Sequence, residues 1–301
     1  MKRKSVCAVL LCLAFLVILA LAAAPAGAIV GGTQDSDNLY FDVGLVVRMG
    51  AFVPGQWGFS ASCTLVRNDP GNVVVLWGAH QLYGWAATDN CVTFNAVPDF
   101  GWVWTDSTGI GIGNVKTYPV IAQVLHPSFV PRSSPSKLSA IGPGQEDVAL
   151  MWLSEQVKVR VPGSRKEALV KPAPIVGLHG LNALDLKAET FTAVGYGLTG
   201  WLQGSDVSLF AGGKAVVTWN GRNYKEVSVV TEDGAYSDRY LQLTAGQADS
   251  DSGGPLLHDG SIVAVCSYSS HRQESPIYDY RLDTQSAQDF VNYWLANGPP
   301  K

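Results

Sequence analysis

Residues 251–255 read Asp251-Ser252-Gly253-Gly254-Pro255, and no other stretch of this 301-residue chain restricts its fold and chemistry as much. Two consecutive glycines permit a tight turn directly after the serine, and Pro255 stiffens the exit into the next segment. A serine hydroxyl becomes a strong nucleophile only when a base takes its proton and a carboxylate orients that base. Ser252 is therefore a candidate nucleophile, and its two partners must be sought elsewhere in the chain.

The candidate base is His80, which follows the strongly apolar run Val73–Trp77. That run predicts a buried strand, so the imidazole should lie at a strand terminus and not in the core. The candidate carboxylate is Asp147, which directly precedes another apolar segment. Taken alone, the histidine would more often be structural and the aspartate would more often form a turn or a cap. The chain order His, Asp, Ser favours a catalytic role for both residues. It also differs from the orders in α/β-hydrolases and in subtilisin.

The composition is that of a protein with a sizeable buried core. Apolar residues make up 47% of the chain, aromatic residues 10%, and there are 32 glycines for tight turns. Only 15% of residues are charged and the formal net charge is −4. The chain therefore lacks the excess of positive charge that binds phosphate groups, and nucleic acid is not expected as a partner. We expect no cofactor and no metal, because no cluster of ligand residues is visible.

Residues 1–28 differ in composition from the rest of the chain. Three basic residues precede an unbroken apolar run from Val6 to Ala24, and a small-x-small sequence ends at Ala28. This layout predicts a secretory signal peptide; an uncleaved anchor is the alternative, since the run could almost span a hydrocarbon core of roughly 30 Å. Cleavage would remove three cations and no acids, so the mature chain would begin at Ile29 with a formal charge of −7. We expect it to be secreted, free of the membrane and monomeric.

Short β-prone runs recur between turn signals over most of the mature chain, and they favour an all-β sandwich or barrel. A polar, proline-containing stretch from Ser154 to Pro174 is typical of a connector between two halves, each large enough to form a barrel. Near the end, Thr284 to Asn297 carries apolar side chains at helical spacing. This spacing predicts one amphipathic helix.

Further motifs follow one another along the chain: Ile29-Val30-Gly31-Gly32, His126-Pro127-Ser128-Phe129, Ala193-Val194-Gly195-Tyr196-Gly197 and Ser267-Tyr268. Together with the His, Asp, Ser order, they resemble the chymotrypsin/trypsin-like serine protease family, and more narrowly its secreted bacterial-type members. The resemblance covers the chain from Ile29 to the final helix. It implies two six-stranded antiparallel β-barrels, at about 29–153 and about 175–297, with a C-terminal α-helix. It also implies a secreted serine endopeptidase that cleaves protein or peptide substrates through an acyl-enzyme.

By the same resemblance, His80 is the general base and then the general acid, Asp147 orients it, and Ser252 attacks the scissile carbonyl. The oxyanion would be held by the backbone N–H groups of Ser252 and Ser250. The family usually has glycine at the second of these positions. We therefore expect Ser250 to reduce activity at most, since its N–H remains.

In the family, a freed N-terminal amine pairs with the aspartate before the nucleophile, and the residues here are Ile29 and Asp251. A buried carboxylate left unpaired would be costly. Because the predicted signal cleavage site directly precedes Ile29, export itself would create the active terminus.

The substrate pocket implied by the resemblance contains Gly246, Ser267, Tyr268 and Ser269. Gly246 stands where trypsin-like members carry the aspartate that binds arginine or lysine. An uncharged pocket favours apolar or small residues at P1, the substrate position before the cleaved bond.

Three cysteines remain after signal cleavage, so at most one internal bridge is possible. Cys63 matches one half of the bridge that usually staples the strand before the histidine, but the usual partner position, directly after His80, holds Gln81. Cys91 is the nearest alternative, and a Cys63–Cys91 disulfide is a hypothesis. Cys266 fits a small buried apolar residue.

A second functional hypothesis comes from another class of protein. The chain could be a catalytically inactive protease homologue that serves as a secreted binding or regulatory protein. Such homologues usually lose one of the three catalytic residues, whereas this chain keeps all three. The serine at position 250 is the main feature in favour of this alternative.

Overall fold

Six strands between Val43 and Leu153 close into an antiparallel barrel, after a two-residue strand β1 (Thr33–Gln34). The computed structural model describes residues 29, 32–49, 57–94, 116–130, 146–160, 166–197, 221–230, 238–244, 247, 251–268 and 277–300. The barrel strands are β2 (Val43–Met49), β3 (Trp57–Asp69), β4 (Asn72–Trp77), β5 (Asn90–Thr93), β6 (Tyr118–Leu125) and β7 (Ala149–Leu153). They pair in the order β2-β3-β4-β7-β6-β5.

Strand β4 explains the continuous apolar run before His80. Val73, Val75 and Trp77 point into one apolar cluster, and Val74 and Leu76 point into another. Both faces of the strand are therefore buried, which removes the polar alternation of a half-exposed strand. The buried strand leads directly into a one-turn helix α1 (Ala79–Leu82), and a 3-10 turn (Ala87–Asp89) follows.

The second half is a curved, barrel-like sheet of seven strands in the order β1-β11-β10-β13-β14-β15-β12. Its remaining strands are β10 (Phe191–Gly195), β11 (Asn223–Val227), β12 (Tyr240–Leu243), β13 (Pro255–His258), β14 (Ser261–Tyr268) and β15 (Ile277–Arg281). The predicted all-β fold with two chymotrypsin-like barrels and a final helix is confirmed. The seventh strand is β1, in which Thr33 pairs with Tyr224 at the edge of the sheet.

The predicted connector from Ser154 to Pro174 contains structure of its own. Strands β8 (Lys158–Arg160) and β9 (Glu167–Leu169) pair as a two-stranded antiparallel sheet. A 3-10 turn (Gly180–Ala183) follows it. The connector is polar because these short strands are largely exposed.

The predicted C-terminal helix is helix α2 (Gln285–Asn297). The Thr284 side chain accepts a hydrogen bond from the Ala287 N–H at 3.2 Å and caps its first turn. The Trp294 ring packs edge-on against Trp152 of β7, with ring centroids 6.0 Å apart, so the helix contacts the first barrel. Among the helices of the described residues, none has the length and apolar character needed to cross a membrane. The predicted signal peptide, residues 1–28, lies outside the described residues.

The predicted Cys63–Cys91 disulfide is wrong. Both cysteines are free and buried, and they lie on opposite sides of β2, where Cys63 pairs with Gly44 and Cys91 pairs with Val47. A whole strand separates them, which is about 10 Å across the sheet, whereas a disulfide needs Cα atoms within about 7 Å. Their side chains also belong to two different apolar clusters. Cys266 is buried, as predicted.

Candidate active site

The pairing of β4 with β7 brings the two partners of the candidate nucleophile together. Trp77 pairs with Ala149 at the end of the ladder, so His80, three residues after Trp77, lies beside Asp147, two residues before Ala149. Both strands form part of the wall of the closed barrel. The barrel register therefore fixes the distance between residues that are 67 positions apart in sequence.

Asp147 binds His80 through both of its carboxylate oxygens. The His80 Nδ1–H donates to Oδ2 at 2.7 Å, and the His80 backbone N–H donates to Oδ1 at 2.8 Å. Because Nδ1 carries the proton in this arrangement, Nε2 of the neutral ring keeps a lone pair. His80 can therefore accept a proton at Nε2, as a general base must.

Ser267 provides a third hydrogen bond to Asp147. Its hydroxyl donates to Oδ2, and the carboxylate is only 4% exposed. Burial alone would raise the pKa of the Asp147 carboxyl, but the charge of His80 and the hydrogen bonds from His80 and Ser267 hold that pKa below its usual value. The family resemblance implied a role for Ser267 in the substrate pocket only, so its contact with Asp147 is a feature that the structure adds.

The Gln81 side chain lies on the other nitrogen of the same ring. Its amide nitrogen is 3.2 Å from His80 Nε2, and an amide N–H is the group that can donate to this lone pair. A serine hydroxyl that approached Nε2 would take the place of this amide. Only the position of Gln81 next to the histidine in the sequence pointed to this contact.

Ser252 lies in a segment that backbone hydrogen bonds tie to both halves of the molecule. The Ser62 N–H of the first barrel donates to the Ser252 carbonyl at 3.0 Å, and the Gly253 N–H donates to the Cys266 carbonyl at 2.7 Å. Cys266 directly precedes Ser267, which binds Asp147. The Ser252 segment is therefore joined to the strand β14 that carries the partner of Asp147, and direct contact between Ser252 and His80 stays a prediction.

The glycine after the candidate nucleophile is required by close packing. Gly253 has φ +83°, and a Cβ there would lie 1.9 Å from Trp77 Cδ1 and 2.4 Å from the Ser62 carbonyl oxygen. Any side chain at this position would collide with β4 or β3. Packing of Gly253 against Trp77 also sets Ser252 beside the strand that leads to His80.

Asp251 turns away from solvent and is 1% exposed. Its Oδ1 accepts a hydrogen bond from the Gly197 N–H at 2.7 Å, and a Cβ on Gly195 would lie 2.1 Å from the same oxygen. This contact explains both glycines of the Gly-Tyr-Gly motif. Ile29 is fully buried in the apolar cluster of the second sheet, and its pairing with Asp251 stays a prediction.

Another buried carboxylate, Asp279, lies on β15 beside β14, where it pairs with Cys266. Asp279 is fully buried and accepts a hydrogen bond from Gln247 Nε2 at 3.0 Å. Burial raises its pKa to about 7, while the bond from Gln247 acts in the opposite direction. Its Oδ1 has no hydrogen-bond partner among the residues that the structure describes.

Three predicted site residues lie outside the described residues: Gly246, Ser250 and Ser269. The second oxyanion donor and most of the predicted substrate pocket are therefore still predictions. For Tyr268 the backbone is described, and it pairs with Tyr278 at the end of β14.

No protein-family model matches the chain, and no curated protein matches its sequence significantly. Solved structures do match. Human heparin binding protein is 14% identical, with a TM-score of 0.60 over 91% of this chain and 99% of its own. GrC is 16% identical, with a TM-score of 0.57 over 89% of this chain and 98% of its own. A mutant of human heparin binding protein is 16% identical, with a TM-score of 0.59 over 91% of this chain and 100% of its own. At these identities the likeness shows the fold alone, which is chymotrypsin-like.

Proposed function

We propose that this chain is a secreted serine endopeptidase in which Ser252 is the nucleophile, His80 the general base and Asp147 the orienting carboxylate. The observation that carries the proposal is the double hydrogen bond of Asp147 to His80, which leaves Nε2 as the proton acceptor. The position of the His80–Asp147 pair near the Ser252 segment supports an acyl-transfer reaction. The narrower likeness to bacterial-type members rests on the sequence motifs alone.

In the proposed reaction, Ser252 Oγ attacks the scissile carbonyl while His80 Nε2 takes the hydroxyl proton. The buried Asp147 carboxylate stabilises the imidazolium that forms. The N–H groups of Ser252 and Ser250 would hold the oxyanion, and His80 would return the proton to the leaving amine. Water, activated by the same nitrogen, would then hydrolyse the acyl-enzyme.

Export would prepare this site by exposing the Ile29 amine. The proposed partner, Asp251, is 1% exposed, and a buried carboxylate is stabilised by a nearby cation. Full burial of Ile29 in the second sheet supports a terminus that is inserted into the protein. N-terminal sequencing of the secreted protein should give Ile29 as the first residue, and any other start would refute this step.

We further propose an apolar or small P1 residue, a protein or peptide substrate, and a secreted monomer that needs neither membrane nor nucleic acid. The absence of an acid at position 246 supports the P1 preference. Peptides that differ only at P1 test it: leucine and alanine peptides should be cleaved faster than the arginine peptide. Faster cleavage after arginine would overturn the preference without affecting the proposed mechanism.

The proposed activity itself is tested by turnover of such peptides. The protein that begins at Ile29 should hydrolyse at least one of them, and Ser252→Ala should abolish turnover while leaving the melting temperature nearly unchanged. Equal turnover by the wild type and by Ser252→Ala would contradict the proposal.

An inactive homologue that binds partners is the second candidate. Two features favour it: the Gln81 amide occupies the proton-accepting nitrogen of His80, and Ser250 replaces the usual glycine. A chymotrypsin-like fold alone does not distinguish the two candidates, because it occurs in active and inactive proteins. Complete absence of turnover in a folded protein that begins at Ile29 would favour this second candidate.

A further inference from the structure

Helix α1, which carries His80, has little support of its own. It is a single turn of four residues, and Gly78 at its start provides no side-chain cap. Helices this short are not stable by themselves. The position of His80 therefore depends on contacts that α1 makes with the rest of the barrel.

Arg48 of β2 contacts the residue that directly follows His80. Its Nη2 donates to the Gln81 carbonyl at 2.6 Å. Gln81 stands where the resemblance would place a disulfide-bonded cysteine, and Cys63, the expected partner, is a free thiol. A hydrogen bond from a cation thus joins the residue after His80 to the barrel wall.

Arg48 is itself held on several sides. Its guanidinium lies over the Trp77 ring, 5.3 Å from the centroid, and over the Trp85 ring, 4.5 Å from the centroid. Its Nε donates to Asn90 Oδ1 at 2.8 Å, and the Asn90 amide donates to the Ala86 carbonyl at 2.9 Å. These contacts fix the planar guanidinium in one orientation.

A cation in this position has an unusual environment. Arg48 is 4% exposed, and in the described part of the chain it forms no ion pair with a carboxylate. Burial lowers its pKa to about 10, and the charge of Asp89 acts in the opposite direction. Burying a charge without a counter-ion is costly. Such a charge is therefore expected where it stabilises the local structure.

We propose that Arg48 is a positioning residue for His80, and that the Trp77–Arg48–Trp85 stack replaces the disulfide that related proteins use next to the catalytic histidine. The proposal rests on the function proposed above for His80. Arg48 touches neither the ring of His80 nor Ser252 in the described contacts, so it acts through the Gln81 carbonyl and helix α1.

The test compares Arg48→Met, Arg48→Lys and a control, Arg67→Met. Arg67 is a partly exposed arginine of the neighbouring strand β3, and its described partners are Asp69 and the Leu295 carbonyl. All are assayed well below their melting temperatures. Arg48→Met should lower kcat by about 10–100-fold with little change in KM, since small displacements of a catalytic group have effects of this size. Arg48→Lys should lie between Arg48→Met and the wild type, because lysine keeps the charge but lacks the planar fork. Arg67→Met should stay within about twofold of the wild type.

A second readout does not require activity. In the wild type the His80 Nδ1 proton, hydrogen-bonded to Asp147, should give a low-field proton NMR signal that Arg67→Met retains. Arg48→Met should broaden or shift this signal even if the protein proves to be an inactive homologue. Loss of all peptide turnover in the wild type would therefore reject the proposed function while this signal still tests the positioning role.

The proposal is overturned if folded Arg48→Met keeps both its kcat within twofold and its His80 signal unchanged. If Arg48→Met does not fold, Trp85→Leu serves as the test, because Trp85 is 36% exposed and supplies only the outer ring of the stack. Trp85→Leu should lower kcat several-fold and shift the same signal. A folded Trp85→Leu variant indistinguishable from the wild type would likewise overturn the proposal.

Discussion

The two sides of the candidate active site hold their residues by different means. On the histidine side, His80 and Asp147 are fixed by side chains: Ser267 binds the carboxylate, and Arg48 holds the end of helix α1. On the serine side, Ser252 is fixed by backbone hydrogen bonds to the first barrel and to Cys266. The backbone there approaches Trp77 so closely that no side chain fits at Gly253.

This difference predicts two kinds of response to mutation. A contact made by a side chain can be weakened in steps, because a shorter or uncharged side chain leaves the backbone where it was. A contact made by close-packed backbone cannot be weakened in steps, because even one added methyl group must displace a strand. We therefore expect graded losses on the histidine side and complete losses on the serine side.

Gly253→Ala should give the largest effect. A Cβ at 1.9 Å from Trp77 Cδ1 cannot be accommodated, so the variant should lose either its fold or all reaction with serine-directed probes. Gly71→Ala is the matched control: Gly71 has φ +75° but nothing lies within 4 Å of its Cβ position. It should lose only about 1 kcal/mol of unfolding free energy, the cost of the left-handed backbone. Urea unfolding and probe labelling measure both, and equal behaviour of the two variants would remove the proposed contrast.

Asp147→Asn should give the next largest effect. The amide oxygen accepts a weaker hydrogen bond from Nδ1–H than a carboxylate does. The amide N–H₂ group can instead donate to Nδ1, which favours the tautomer with the proton on Nε2. We expect kcat to fall by about 10⁴ while the fold is retained. Peptide turnover and thermal melting measure the two quantities. A fall in kcat of less than tenfold would show that the carboxylate does not orient the base.

Asp279→Asn addresses a buried carboxylate on the serine side that accepts a hydrogen bond from the Gln247 side chain. The pKa of Asp279 is raised to about 7 in the folded protein, against about 4 in an unfolded chain. Between these values the folded state binds more protons, so the unfolding free energy should fall as pH rises from about 4 to about 7 and then level off. The asparagine side chain does not titrate, so the unfolding free energy of the variant should not fall in this way. Relative to the wild type, its unfolding free energy should rise by up to about 4 kcal/mol between about pH 4 and pH 7.

Urea unfolding at pH 4.5, 6 and 8 measures this gain. Asp37→Asn, on an exposed residue, is the control and should show no such rise relative to the wild type. If the curves of wild type and Asp279→Asn stay parallel across pH, Asp279 is not the buried acid described above.

The sequence was sufficient to predict the fold, and it named the three residues of the candidate site. Ser252 was marked by its glycines, His80 by a strand buried on both faces, and Asp147 by the strand that it precedes. These signals are local, and the order of the three residues along the chain supplied the topology. The helix at Gln285–Asn297 was also readable from its periodicity.

What the sequence could not disclose depends on register between distant strands. The Cys63–Cys91 pair failed because the two residues lie on opposite sides of β2, and a register shift between Val46 and Val47 prevents simple counting. Arg48 occurs within an apolar strand, and its partners lie 29 to 42 positions away, so no local pattern marks it. Ser267 was recognised as a residue of the cleft, but its bond to Asp147 requires the two halves to be docked.

Activation of Ser252 by His80 and Asp147 is tested most directly by reacting the purified protein that begins at Ile29 with a fluorophosphonate probe and then mapping the labelled peptide. We expect one probe per chain, located on Ser252, with no labelling of Ser252→Ala and greatly slowed labelling of His80→Ala. Labelling at another residue, or none in a correctly folded wild-type protein, would contradict the claim that His80 and Asp147 activate Ser252.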